Sequence, residues 1–372
     1  MADPDHCLLA RIPRLDAGQW QSLAAQLGSP LALTRLSPVE LAACGLSPAA
    51  IRSLAHFDPA RHSADLLALQ RSRIELLAAD EPAYPPSLKT IPGAPPVLFV
   101  RGRSDTLLMP QLAMVGSRHP TANGLRTARD LAFHFASVGL AITSGLALGI
   151  DAACHGGALA ALGRTIAVCG TGLDRVYPEA HVALAEEVAA MGALVSEFPP
   201  GTPPLPHHFV QRNRLISGLS LGVLVIEAAA QSGSLSTARH AGEQGREVFA
   251  VPGSIHSPQS RGCHQLLRQG ATLVENADDV LRELSNFQPN QYVMNHSDAA
   301  ENGRGGGGRL DNPAEILLDA LGFEPTSLDA LTASTGLSSS SVASLLLALE
   351  LQGRVASDSA GRYFRVPESL FK

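Results

Sequence analysis

The sequence has few cysteines, and no pattern links them. The five are scattered along the chain without a CxxC pair, at Cys7, Cys44, Cys154, Cys169 and Cys263. Zinc ribbons and small disulfide-stapled domains need closely spaced cysteines, so this spacing excludes both classes. An odd, unpatterned set of thiols is typical of the reducing cytoplasm. We therefore expect a cytoplasmic protein without a metal site.

Long apolar runs and an excess of positive charge are also missing. No stretch of about 18 or more uninterrupted apolar residues occurs, so we expect no membrane-spanning segment. The N-terminus, Met1 to His6, includes two aspartates and lacks the basic head and apolar body of a signal peptide. The net charge is −6, and only two of the 28 basic residues are lysine. Coating of duplex nucleic acid by bulk basicity is therefore excluded, and any nucleic-acid site must be local.

The apolar residues that are present can fill the cores of several domains. The chain has 372 residues and is 45% hydrophobic, which predicts two or three domains at about 100 to 200 residues each. Residues 1–75 show short helical repeats of apolar residues, with Ser-Pro helix starts at Ser37 and Ser47. This pattern predicts a small helical bundle, a class that includes helix-hairpin-helix modules. Its turns carry no basic residues, which favours packing or protein contact over DNA binding.

The C-terminal part is predicted to be a linker followed by a winged helix. Residues 286–309 are polar and end in four glycines, which is typical of a flexible linker. Residues 310–372 show three helical segments followed by a two-strand hairpin. The recognition-helix position, Ser338–Leu351, contains no arginine or lysine. A small helical oligomerisation tail is the alternative interpretation of this region.

The central part, residues 76–285, alternates strands with helices. Strands are predicted at Val97–Val100, Leu112–Val115, Ala141–Thr143, Thr165–Cys169, Leu194–Ser196, Gly222–Ile226, Val248–Val251 and Thr272–Val274. Helices are predicted between them, for example at Gly124–Val138, Asp151–Ala161, His181–Met191 and Ser234–Gln244. Strands separated by helices of ten or more residues pair in parallel through right-handed crossovers. The fold class is therefore α/β, with a Rossmann-like, doubly wound parallel sheet.

Each core strand ends in a loop of small residues, which predicts a ligand site. In open parallel sheets ligands bind at the carboxyl ends of the strands, and the first turn of a following helix favours anions. The candidate residues in these loops are Gly116, Ser117, Arg118, Gly145, Gly149, Gly170, Gly172, Gly233, Ser234 and Thr237. Tight packing of strand against helix is the alternative explanation for each glycine-rich turn.

The stretch from Val195 to Glu227 supplies the predicted ligand site with cations and an aromatic ring. A run of prolines leads to further candidate residues, which are His208, Phe209, Arg212, Asn213 and Arg214. We interpret this stretch as a loop between two strands, on which guanidiniums bind phosphates and the phenylalanine stacks a base. Pairing of both arginines with surface carboxylates is the alternative.

Signatures of catalysis are weak. The sequence contains no GxxxxGK[ST] loop and no GxGxxG fingerprint at Gly116–Gly124, and His207-His208 lacks the carboxylate spacing of a metal site. We therefore predict a protein that is not an enzyme, with no catalytic residue, cofactor or metal. A nucleotide-processing hydrolase on a related Rossmann core, with Glu227 as the carboxylate beside Ser232–Thr237, remains open. A winged-helix transcription regulator is a third alternative. It would need a basic recognition helix, which Ser338–Leu351 does not supply.

The motifs in series closely resemble the bacterial DNA-processing protein A family, also called Smf. They are MVGSR (114–118), SGLALGID (144–151), GTGLDRVYP (170–178), SEFPPGTPP with FVQRNRLISGLS (196–220), SGSLSTA (232–238) and FAVPG (249–253). The resemblance covers the core densely and the end regions more loosely.

This resemblance implies a protein that binds and protects incoming single-stranded DNA and helps to load the RecA recombinase in natural transformation. It also implies an extended Rossmann core that forms a homodimer, a sterile-alpha-motif-like N-terminal domain and a winged helix. Strand contacts carry over onto Ser117, Arg118, Phe209, Arg212 and Arg214. Where relatives often place a lysine before the aromatic, this chain has Pro206-His207-His208. Protonation of a histidine is one way to replace that charge.

Overall fold

The structure is a computed structural model that describes residues 3–284, 313–321, 325–351, 354–358 and 361–366. The predicted linker, residues 286–309, lies outside the described residues. Within the described ranges, no individual helix has the length and apolar composition needed to cross a membrane, although one sharply bent pair of helices meets both criteria when taken together.

A nine-stranded sheet forms the centre of the described chain. Its strands are β1 Glu75–Ala78, β2 Val97–Gly102, β3 Gln111–Val115, β4 Ala141–Ser144, β5 Thr165–Val168, β6 Ala193–Ser196, β7 Gly222–Val225, β8 Glu247–Ala250 and β9 Thr272–Leu273. They lie in the order β1-β2-β6-β5-β4-β3-β7-β8-β9. Strands β3 to β9 pair in parallel, whereas β2 pairs antiparallel with β6 and with β1. The predicted doubly wound parallel sheet is confirmed, with an antiparallel pair added at one edge.

Four short helices precede the sheet. They are α1 Ala17–Leu27, α2 Pro38–Ala43, α3 Pro48–Ala55 and α4 Pro59–Arg71, with 3-10 turns at Pro4–Arg11 and Pro30–Arg35. The Ser37 hydroxyl accepts from the Glu40 amide, and the Ser47 hydroxyl accepts from the Ala50 amide, so both serines cap helices as predicted. The buried Trp20 donates from its indole to Asp80 over 2.8 Å. This bond ties the helical region to the start of the core.

Eight further helices connect or follow the core strands. They are α5 Pro86–Lys89, α6 Ala122–Ser137, α7 Ile150–Ala160, α8 Val182–Met191, α9 Pro206–Leu219, α10 Ser234–Glu243, α11 Arg261–Arg268 and α12 Ala277–Glu283. Successive side chains of a strand point to opposite faces, which gives the sheet two apolar layers. Leu112 and Met114 of β3 pack with residues of α6 and α7, whereas Ala113 and Val115 belong to the cluster that includes α9 and α10.

The C-terminal region forms the predicted winged helix. It contains α13 Pro313–Leu321, α14 Leu328–Thr335 and α15 Ser339–Leu351, followed by β10 Val355–Ser357 and β11 Tyr363–Arg365. The two strands pair antiparallel. Ser327 caps the start of α14 by accepting from the Ala330 amide, and Gly336 ends that helix in the left-handed conformation. Buried leucines and valines from all three helices and β10 form a small separate core.

Candidate nucleic-acid interface

A cleft opens at the carboxyl ends of β3 and β7. The chain runs from β3 outward to β6, returns through α9 and enters β7 on the other side of β3, so the winding direction reverses between these two strands. Ligands of doubly wound sheets bind in the crevice at such a reversal. The cleft has a volume of about 650 Å³ and is lined by the loop after β3, one face of α9 and the start of α10.

The loop after β3 forms one rim of the cleft. The Ser117 amide donates to the Glu227 carbonyl over 2.7 Å, which holds the loop against the end of β7. Gly116 leaves no room for a side chain, because a Cβ there would lie 2.7 Å from Ile150. Arg118 follows in an exposed position, with its guanidinium carbon 5.9 Å from the centre of the Phe209 ring. The rim therefore presents an exposed cation beside an aromatic face.

Phe209 and Arg212 lie on helix α9, so the prediction of a loop in this stretch is wrong. Pro206 occupies the first turn of α9, where its missing N–H removes no helical hydrogen bond. Residues three and four apart share one face of a helix, and Phe209, Arg212 and Asn213 accordingly line the cleft together. The last proline of the run therefore starts a regular helix instead of continuing a loop.

Arg212 is part of the cleft floor. The residue is only 3% exposed. Nη1 donates to the Gly145 carbonyl over 2.8 Å and also to the Val168 carbonyl, at the ends of β4 and β5. Burial lowers the pKa of this guanidinium, and the neighbouring Asp151 carboxyl opposes the shift. The sequence predicts a loop guanidinium that binds phosphate, whereas the Arg212 guanidinium satisfies backbone carbonyls below the surface.

Arg214 points away from the cleft. Two residues along a helix correspond to a rotation of about 200°, so Arg212 and Arg214 lie on nearly opposite faces of α9. Arg214 Nη2 donates to Glu197 Oε2 over 2.6 Å, and both side chains are largely buried. Burial raises the pKa of Glu197, and Arg214 opposes that shift. The sequence predicts that Arg214 binds phosphate, with pairing to a surface carboxylate as the alternative, whereas Arg214 pairs with the buried carboxylate of Glu197 on the far face of α9.

The start of α10 forms the opposite wall. Asn213 Nδ2 donates to Ser236 Oγ over 2.7 Å and to the Gly233 carbonyl over 3.3 Å, which fixes α9 against α10. The cleft brings together nine of the residues predicted from sequence, namely Gly116, Ser117, Arg118, Phe209, Arg212, Asn213, Gly233, Ser234 and Thr237.

The four remaining predicted glycines lie outside the lining of the cleft. They are Gly145, Gly149, Gly170 and Gly172. Gly149 has a φ of +81°, and a Cβ there would collide with the Ser117 carbonyl. A Cβ on Gly170 would lie 2.8 Å from the Phe209 ring. Close packing is therefore the observed role of Gly149 and Gly170, which allow the loop after β3 and the aromatic ring to reach their positions.

His208 also lies outside the cleft lining. Its ring stacks 4.3 Å from the Phe198 ring, and its Nδ1 lies 3.3 Å from the Pro203 carbonyl. Burial, together with the neighbouring His207, lowers the pKa of His208 below its usual value. Both the position and the pKa direction oppose the hypothesis that protonated His208 replaces a lysine near neutral pH.

Tyr177 was not among the predicted site residues, yet it lies in the cleft. The residue is 46% exposed, and its ring centre is 5.4 Å from that of Phe209. The two rings form an aromatic step beside Arg118. Tyr177 follows the glycine-rich turn after β5, so its position after a strand end was the available signal in the sequence.

The carboxylates near the cleft are engaged in local hydrogen bonds. Asp151 accepts from the amides of Gly145 and Ala147 over 3.1 and 3.3 Å. Burial raises the pKa of Asp151, and Arg212 is the main opposing influence. Glu227 accepts from the Thr121 hydroxyl and amide over 2.6 and 2.9 Å, at the start of α6.

The position of Glu227 tests the alternative in which this carboxylate and the hydroxyls of Ser232–Thr237 form a hydrolase site. Glu227 does not line the cleft that contains Ser232 and Thr237, and burial raises its pKa while the bonds from Thr121 lower it. The proposed carboxylate and hydroxyls therefore face different cavities. Among the described residues, no group of three or more histidine, cysteine or acidic side chains could hold a metal ion.

Comparison with known proteins identifies similar sequences and folds. The family model for DNA recombination-mediator protein A matches residues 75–285, and the model for the DprA winged helix domain matches residues 308–361. Protein Smf of Escherichia coli (strain K12) is 44% identical over 297 residues, which cover 79% of this chain and 78% of that protein. The DNA processing protein DprA of Bacillus subtilis (strain 168) is 43% identical over 221 residues, covering 59% of this chain and 74% of that protein.

Two solved structures share the fold. DNA processing protein A (DprA) from Streptococcus pneumoniae superposes with a TM-score of 0.65 at 36% identity, covering 74% of this chain and 95% of that one. DNA processing protein A from Helicobacter pylori, for which a single-stranded DNA binding mode is described, gives a TM-score of 0.53 at 30% identity. That match covers 57% of this chain and 96% of the other.

Proposed function

Because this chain belongs to the DNA recombination-mediator protein A family, we propose that it binds and protects single-stranded DNA and helps to load the RecA recombinase during natural transformation. It acts as a binding protein without a catalytic residue or cofactor. It forms a homodimer through its Rossmann core and works in the cytoplasm. The single-stranded DNA binding mode described for the Helicobacter pylori protein supports the choice of ligand.

One observation carries the proposal, which is the exposed Arg118 beside two aromatic rings at the mouth of the cleft. The Arg118 guanidinium lies 5.9 Å from the Phe209 ring centre, and Tyr177 lies 5.4 Å from the same ring. An arginine fork binds a phosphate, while an aromatic face stacks a base of any sequence. Only an unpaired strand offers both groups, because bases in a duplex are already stacked on one another.

The proposal predicts separate effects for the cation and the ring. Arg118→Ala should weaken binding of an oligothymidine about tenfold and lower the salt slope by about 0.7, the contribution of one phosphate contact to a single strand. Phe209→Leu should weaken binding by about 1 to 3 kcal/mol while the salt slope stays constant, because stacking involves no counterion release. Fluorescence anisotropy at several salt concentrations measures both quantities.

The control is Arg103→Ala, which removes an exposed arginine that pairs with Asp105 and lies outside the cleft. This variant should bind like the unmodified protein. Identical isotherms for all three variants would rule out the cleft as the binding site.

Loading of RecA is tested by adding this protein to RecA on strands already coated with a single-strand-binding protein. We expect faster appearance of RecA filaments than with RecA alone. An unchanged rate would contradict the loading role, and the binding data would stand independently of it.

A further inference from the structure

A second groove lies directly beside the cleft. It has a volume of about 590 Å³ and is formed by α6, by the start of α7 and by the loop between β3 and α6. Its lining includes Pro120 and Gly149, together with Leu125, Arg126 and Arg129 of α6. Arg126 and Arg129 are three residues apart and share one face of the helix. None of the residues that line this groove is acidic.

The ridge between the two cavities is the loop after β3. The Ser117 carbonyl accepts from the Ile150 amide over 3.1 Å, and Pro120 lies against Gly149 on the far side of the same loop. Arg118 is exposed on this ridge. A strand bound at Arg118 therefore needs to cross only one loop to reach the groove.

The charges of the groove are available to a ligand. Arg129 is exposed, and its side chain has no hydrogen bond or ion pair within the described part of the chain. Arg126 is also exposed, and its side chain donates to the neutral Asn123 over 2.6 Å. Leu125 is 39% exposed and offers an apolar surface between them.

The other exit from the cleft is less favourable for a polyanion. There the cleft shares Gln231 and Ser232 with a groove of about 700 Å³ beside α10 and α11. That groove contains arginines, but Glu243 and Glu247 also line it. Carboxylates repel phosphates, so the electrostatics favour the α6 side.

We propose that the groove of Arg126 and Arg129 binds the phosphodiester backbone of a single strand that continues out of the cleft across Arg118. This extension rests on the proposed function of the cleft. Each arginine engages one phosphate, and Leu125 contacts the sugar or base between them. The added contacts are made only by a strand that is long enough to fill the cleft and cross the ridge.

Oligonucleotide length provides the test. Binding of oligothymidines of about six and about twenty nucleotides is measured by anisotropy at several salt concentrations. In the double variant Arg126→Ala/Arg129→Ala, affinity for the long strand should fall about tenfold and its salt slope by about 1.4, the contribution of two phosphates. Affinity for the short strand should stay within about twofold.

Two matched variants control for charge and for folding. Arg239→Ala/Arg268→Ala removes two exposed arginines from α10 and α11 and should leave both lengths unaffected. Arg126→Lys/Arg129→Lys keeps the charges and should restore most of the salt slope.

Each outcome has one interpretation. If the alanine double variant binds the long strand normally, or weakens both lengths equally, the extension is overturned while the cleft keeps its proposed role. If the α10 and α11 variant shows the loss instead, the strand leaves on the other side and the extension is overturned. If the unmodified protein binds neither length, the proposed function itself fails.

Discussion

At the residue scale, burial separates arginines that lie close together in the molecule. Arg118 is exposed at the rim of the cleft, whereas Arg212 is 3% exposed and donates to carbonyls at the ends of two strands. An exposed guanidinium can exchange water for phosphate at little cost. A buried guanidinium compensates groups that would otherwise be left unpaired, so its removal mainly lowers the stability of the fold.

This difference in burial predicts that two arginine substitutions change the free energy of unfolding to very different extents. Arg212→Ala should lower the free energy of unfolding by about 3 kcal/mol, because Asp151 loses its buried counter-charge and two carbonyls lose a donor. Arg118→Ala should change it by less than about 0.5 kcal/mol. Urea unfolding followed by circular dichroism measures both. Arg212→Met, which keeps apolar volume but not charge, should resemble Arg212→Ala; full stability of Arg212→Met would contradict the role of the charge.

His155 gives the molecule a pH-dependent stability. It is fully buried on α7. The Thr165 hydroxyl donates to the Ile142 carbonyl over 2.8 Å, so it accepts from His155 Nδ1 over 2.7 Å. His155 Nε2 is buried without a hydrogen-bond partner among the described residues. Burial, with smaller contributions from His181 and Arg212, lowers the pKa of His155 from 6.5 to about 3.

The sign of the pH effect follows from that direction. A histidine whose pKa is lower in the folded state stabilises the fold fully above its unfolded pKa, and this contribution is lost as the pH falls from about 6.5 toward about 3. The free energy of unfolding should therefore drop by about 2 kcal/mol between about pH 7.5 and pH 5 on account of His155. His155→Asn, which keeps a polar group near the Nδ1 position, should lose less stability over this interval. An equal loss in both proteins would show that other groups cause it.

At the scale of elements, the site depends on how closely a loop can approach a helix. The loop after β3 lies against the first turn of α7, and Gly149 is the contact point between them. A φ of +81° is unfavourable for any residue with a side chain. The position of Arg118 therefore depends on a glycine that does not itself line the cleft.

Gly149→Ala tests this dependence. The added Cβ collides with the Ser117 carbonyl and must adopt an unfavourable φ, so the variant should be less stable by about 1 to 3 kcal/mol and should bind single strands more weakly. Gly242→Ala on α10 is the matched control, because a Cβ there meets nothing within 4 Å. That control should be unchanged or stabilised by up to about 1 kcal/mol. Unaltered stability in Gly149→Ala would show that the loop can move aside.

At the scale of the whole molecule, the net charge of −6 restricts where a polyanion can bind. A duplex presents its phosphates along a rigid rod and needs an extended basic surface. The helix α15 at the recognition position contains no arginine or lysine, and Leu347 and Leu351 are exposed on it. The local cation and rings of the cleft suit a flexible strand better than a duplex.

We therefore expect strong discrimination between single and double strands. At moderate salt, affinity for an oligothymidine of about twenty nucleotides should exceed that for a duplex of equal length by about tenfold or more. A gel shift at two salt concentrations measures the ratio. Equal affinities would indicate that backbone charge alone, without the aromatic step, determines binding.

The sequence by itself determined the sheet and most of the candidate site. Strands β3 to β9 fall at the predicted apolar runs, because a buried parallel strand needs a short continuous apolar segment, and the antiparallel β2 falls at a predicted apolar run as well. The small residues after those strands locate the cleft, because parallel strands bring their carboxyl ends to one edge of the sheet. The motif series likewise indicated the family.

Only the tertiary structure decided which side chains are free to bind. Arg118, Arg212 and Arg214 are alike in sequence, but the direction of α9 sends Arg212 into the floor and Arg214 toward Glu197. Tyr177 and Phe209 are separated along the chain and meet through the packing of α9 on the loop after β5. Local patterns specify strands and turns because those depend on near neighbours. Exposure and pairing depend on distant segments that meet only in the folded chain.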